Sequence, residues 1–144
     1  MSGWLLASAH HLLAFLLVAI LAIELTLCRR GMDGPATRML GRIDIAYGVV
    51  FVLLLAAGIA RAGGTNWPLY RDNPLFWTKL ALLALAGMMS LPPTIAILRW
   101  NRSIRRGGEG PEPAAIRTVR HWMHGEAAVL LLVPPVAAAL ARGM

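Results

Sequence analysis

Cysteine is nearly missing from this sequence: Cys28 stands alone among 144 residues. One thiol excludes an internal disulfide and a thiolate metal cluster, and its plainest reading is a small residue at a helix interface. Charge is scarce as well, at 15% of residues, with 7 Asp+Glu against 14 Lys+Arg. Lysine is scarcer still, since Lys79 is the one cation that is not arginine. There is no Cys-x-x-Cys-His haem attachment, no His-Glu-x-x-His, no phosphate loop and no Ser/His/Asp set. Those absences argue against hydrolytic and nucleotide chemistry.

What fills the chain is apolar. A hydrophobic content of 58% and a mean hydropathy of +0.62 lie outside the balance of a soluble domain. A spanning helix takes about 20 apolar residues, so four spans and short loops nearly exhaust the length. The expected fold is all-α, an integral membrane four-helix up-and-down bundle forming a single domain over 1–144. The arginines flank the apolar runs, which makes them topology signals rather than a nucleic-acid surface. Residues 1–3 carry no basic side chain, and the first apolar run is too long for a signal-peptide core, so it is expected to stay as a helix.

The spans are expected at about 4–27, 43–60, 75–98 and 121–141. Cys28-Arg29-Arg30-Gly31-Met32-Asp33-Gly34-Pro35 stops the first, by charge and turn formers together. Residues 61–74, rich in Gly, Asn, Pro and aromatics, read as an ordered loop at the headgroups. Pro92-Pro93 and Pro134-Pro135 fall inside the third and fourth spans, where a bend is expected. The longest loop, 99–120, begins an amphipathic approach to the membrane in its second half. Gly48, Gly58, Gly87 and Ser90 are small enough to allow close helix contact. Arg29, Arg30, Arg38 and Arg42 lie between spans one and two, and six arginines between three and four, against Arg61 and Arg71 in the middle loop. The positive-inside rule puts both termini outside, on the periplasmic side of a bacterial inner membrane.

Ionisable groups inside a span cost a few kcal/mol each and need a partner or a role. By depth they form two layers. His10, His11 and Lys79 fall toward the outer leaflet; Glu24, Asp44, His121, His124 and Glu126 fall toward the inner one. His10 and His11 point about 100° apart on a helix, so at most one faces a given site. Glu24 follows His10 by almost four turns and shares its stripe, which makes His10 the better candidate for the interior. Lys79 either snorkels to the interface or neutralises a bound anionic group. Glu24, Arg42, Asp44, Tyr47 and Glu126 can form a hydrogen-bonded network, as structural glue or as a proton relay. His121 and His124 have the i, i+3 spacing of a shared metal, or are simply interfacial histidines.

Trp4-Leu5-Leu6-Ala7 with His10-His11, Asp44-Ile45-Ala46-Tyr47-Gly48, Asn73-Pro74-Leu75-Phe76-Trp77-Thr78-Lys79, Ser90-Leu91-Pro92-Pro93-Thr94 and Arg99-Trp100 resemble a bacterial family of predicted membrane proteins, domain-of-unknown-function family twenty-two fourteen. The resemblance covers nearly the whole chain and bears on the fold more than on the chemistry. More remotely, the layout is similar to the HemJ-type protoporphyrinogen oxidases and the CopD-type copper-resistance membrane proteins. The HemJ-type resemblance implies haem binding at His10, with Lys79 matching a lysine that follows an aromatic, here Trp77. Glu126 matches an acidic residue opening the last helix, but Gly125 and Ala127 replace the Asn and Pro that flank it in that family. That departure weighs against the oxidase activity and leaves haem or porphyrin binding.

The leading expectation is therefore a membrane protein that binds haem b or a porphyrin. His10 is its axial ligand with His11 beside it, Lys79 the counter-cation and Trp77 a packing wall. A quinone-linked oxidoreductase role follows from that reading. The alternatives are copper handling through His10, His11, Met88 and Met89, or an accessory subunit of a larger membrane complex. The bilayer is the expected environment, a homo-oligomer is compatible with it, and no nucleic-acid partner is expected.

Overall fold

Asp33 sets the start of the second helix, ten residues before the apolar run begins. Its side chain accepts from the Ala36 amide at 2.7 Å, Pro35 occupies the first turn, and the Thr37 hydroxyl donates to the Asp33 carbonyl at 2.9 Å. This N-cap geometry satisfies amides that the first turn cannot pair internally. The fourth spanning helix likewise starts early, with Glu112 at its cap position and Pro113 in its first turn. The third starts at an Asn73 cap, whose side chain accepts from Leu75 N at 2.9 Å.

The computed structural model describes residues 3–63 and 67–143. It contains α1 (Gly3–Leu27), α2 (Gly34–Ala62), α3 (Trp67–Tyr70), α4 (Pro74–Arg105) and α5 (Pro113–Ala141). Gly64, Thr65 and Asn66 of the expected loop, and the first two and last residues of the chain, lie outside the described residues. α1, α2, α4 and α5 are each long and apolar enough to cross a membrane. The helices outrun the expected spans at the arginine-rich end: α2 begins at Gly34 instead of 43, α4 runs to Arg105 instead of 98, and α5 begins at Pro113 instead of 121. Hydropathy marks the thickness of the hydrocarbon, whereas a helix carrying arginines on its exposed turns has no reason to stop at that boundary. The long loop shrinks accordingly, and Gly107 ends α4 with a positive φ of 77° that an L side chain resists.

α1 packs on α2, α2 on α4, α4 on α5, and α5 back on α1. That closes a four-helix ring in which α2 and α5 face each other diagonally. Leu17, Leu21, Leu40, Ile97, Ile116 and Met123 fill the interior, while Leu12, Phe15, Val52, Leu91 and Leu131 project outward. An outward apolar face is the correct solution where the solvent is lipid. Pro92 and Pro93 sit within α4, and Pro134 and Pro135 within α5; neither pair ends its helix. Gly58 lets α2 approach the His10 ring, and Gly87 lets α4 approach Phe51. Gly48 differs from the expectation of close contact: it is exposed, and a Cβ added there would meet nothing within 4 Å among the described residues.

Two side chains tie antiparallel helices at the arginine-rich end. Arg120 on α5 donates to the Leu25 and Cys28 carbonyls, the latter at 2.6 Å, capping the C-terminus of α1. Asn101 on α4 donates to the Thr37 and Ile97 carbonyls at 3.1 and 3.0 Å.

Candidate functional site

The apolar stripe of α1 is interrupted twice, and both interruptions face inward. His10 is 8% exposed and Glu24 2%. At 1.5 Å per residue they stand about 21 Å apart along the helix axis. Each anchors a different polar layer.

At the end opposite the arginine-rich one, His10 lies against Gly58 of α2, with the Leu54 backbone close to its ring. His10 Nδ1 is buried without a hydrogen-bond partner. Lys79, Arg61 and His11 stand within electrostatic reach of it. Lys79 is half-buried and forms no ion pair among the described residues. His11 is exposed, its Nδ1 2.7 Å from the carbonyl of Ala7, and its ring lies edge-on to that of His10 at 6.1 Å. Of the two histidines, only His10 occupies the interior. Trp77 is 50% exposed and turned toward the loop, donating its indole N–H to the Arg71 carbonyl at 2.8 Å. With Trp67, Tyr70 and Phe76 it forms an aromatic cluster suited to the headgroup region.

Nearer the arginine-rich end, Glu24, Asp44, Tyr47 and Glu126 are all buried. The Tyr47 phenol donates to Glu126 Oε1 across the diagonal of the bundle. The Thr94 hydroxyl of α4 donates to Asp44 Oδ1 at 2.9 Å. Glu24 lies within electrostatic reach of both other carboxyls, and its Oε1 is buried without a hydrogen-bond partner. No cation pairs with any of the three acids among the described residues. Arg42, expected in this layer, is exposed instead. It stands two positions before Asp44, which on a helix turns it to another face. His121 and His124 are exposed too, and the His124 ring meets the Arg120 carbonyl at 2.6 Å, so neither enters the acidic layer.

Three contributors were not singled out as site residues from sequence. Thr94 lies next to the Pro92-Pro93 pair, Arg61 looks like an ordinary loop cation, and Arg120 counts as one topology signal among several. Nothing local marks any of them. Their roles come from neighbours on other helices.

These features define an all-helical, multi-pass membrane protein with four candidate spans and two separated polar layers in its interior. The chain belongs to the family described as Predicted membrane protein (DUF2214), which matches residues 2–144. No curated protein and no solved structure matches it.

Proposed function

We propose that this protein binds haem b or a related porphyrin in the inner membrane, with its arginine-rich end in the cytoplasm, and exchanges electrons with a membrane quinone. The observation that carries the reading is His10 Nδ1, a buried ring nitrogen that makes no hydrogen bond of normal geometry, although the Leu54 backbone lies within interaction range of the imidazole. An unsatisfied buried polar atom costs about 1–3 kcal/mol, more where no water can reach it, and a ligand would remove that cost. The surroundings fit a group that is apolar with an acidic edge: helices on both sides, and Lys79 and Arg61 near His10 to balance carboxylates. His11, His121 and His124 are exposed, so one chain offers one interior imidazole. Bound haem would supply one-electron chemistry at its iron. His10 would hold it, Lys79 would offset its charge, and the apolar helices would keep water away. The copper alternative is weaker, because His11 bonds to its own helix and Met88 is 60% exposed.

The test is an ultraviolet-visible spectrum of detergent-purified protein, oxidised and dithionite-reduced, with metal analysis on the same sample. A near-stoichiometric Soret band that disappears in a folded His10→Ala variant is expected. A colourless protein, or full haem retention by His10→Ala, would overturn the assignment. The acidic layer supports an accompanying proton role, carried by the unpartnered Glu24 Oε1. Its test is proton uptake on reduction in proteoliposomes, expected to fall in Glu24→Gln; unchanged uptake would remove Glu24 from that role.

A further inference from the structure

Where α1 ends and α5 begins its climb into the bundle, a cleft of about 630 Å³ is walled by Arg29, Arg30, Arg117 and Arg120, with Leu25 and Ile116 as its apolar lining. The arginines come from two segments 87 or more positions apart, counted from Arg30 to Arg117. Orientation in the membrane requires arginines in these loops but does not require them to converge. No carboxylate lines the cleft, and none of these arginines forms an ion pair among the described residues. Arg120 is anchored by the α1 carbonyls it caps, whereas Arg29, Arg30 and Arg117 are exposed.

Three exposed guanidiniums beside the anchored Arg120 concentrate positive charge at one opening, which an anion seated among them would offset. Guanidinium is suited to phosphate, which it can hold through two parallel N–H donors. The apolar lining adds a second requirement, since a free inorganic anion gains nothing from Leu25 and Ile116. We propose that this cleft binds a phosphate-bearing anion, supplied by the headgroup of an acidic phospholipid whose acyl chains continue along the outside of α1 and α5. Basic clefts between spanning helices suit such headgroups, and each arginine near the surface contributes a few-fold in affinity.

The experiment is native mass spectrometry of the detergent-purified full chain titrated with cardiolipin, with phosphatidylcholine, and with inorganic phosphate. The comparison variants are Arg29→Gln/Arg30→Gln/Arg117→Gln and Arg99→Gln/Arg102→Gln. The second variant removes charge from a separate basic cleft at the same end, and Arg120 is kept because it caps α1. Saturable binding of cardiolipin over phosphatidylcholine is expected, falling about a hundredfold in the triple variant and less than about threefold in the double. Equal losses in the two variants would reduce the cleft to nonspecific surface charge and overturn the proposal. Binding of inorganic phosphate as tight as that of cardiolipin would overturn the lipid as its source. A thermal melt of each variant separates loss of binding from loss of fold.

Discussion

Tyr47 on α2 and Glu126 on α5, 79 positions apart, meet across the diagonal of the bundle in a buried hydrogen bond. It joins two helices that are not packing neighbours in the ring, bridging the interior of the bundle at that depth.

Tyr47→Phe keeps the ring's packing and removes the donor. In a thermal melt in detergent the variant is expected to lose about 1–3 kcal/mol, because Glu126 Oε1 is left buried without its partner. Glu126→Leu, which removes the acceptor, and Tyr47→Phe/Glu126→Leu complete a double-mutant cycle. Coupling of at least about 0.5 kcal/mol is expected, and strictly additive losses would show that the pair does not act as a unit.

Gly41 lies directly against the side chain of Asn101, which ties α4 to α2 through the Thr37 carbonyl. A methyl group there must displace the amide. Gly41→Ala is therefore expected to destabilise by about 1–3 kcal/mol, although alanine is the better helix former by about 1 kcal/mol. A raised melting temperature would mean that Asn101 moves aside without cost.

Gly58 offers a way to disturb His10 without changing it. A Cβ at that position would stand 3.3 Å from His10 Cε1, and a leucine would push the ring from its seat. If His10 holds the proposed haem, Gly58→Leu should lower haem occupancy severalfold in protein that still elutes as a folded species. Full occupancy in that variant would place the iron elsewhere.

Cys28 follows α1, fully buried, and burial pushes its thiol up to about 11, with Arg120 opposing and Glu24 adding to the effect. At pH 8 about one thiol in a thousand is ionised, against roughly a quarter in an unfolded chain. Alkylation of the folded protein at pH 8 should be at least about a hundredfold slower than in denaturing detergent. The sign for stability follows: a neutral buried thiol favours the folded state below about pH 8.5, and that contribution is lost as pH rises toward 11. Rapid labelling of folded protein would mean that the α1 terminus opens readily.

The sequence by itself determined the number of spans, the clustering of arginine at one end, and the shared stripe of His10 and Glu24. Each of these depends on local quantities, namely apolar run length, charge along the chain and helical periodicity. The same reasoning misplaced helix ends, since caps such as Asp33 act outside the apolar run, and it drew Arg42 into a layer from which its helix face excludes it. Only the tertiary structure decided that Tyr47 answers Glu126, that Thr94 answers Asp44, that Trp77 turns to the loop, and that Arg117 and Arg120 converge with Arg29 and Arg30. Those relationships depend on the order of the helices around the ring and their rotation about their own axes. In a membrane protein, where lipid-facing and buried residues are both apolar, hydropathy carries little information about that rotation.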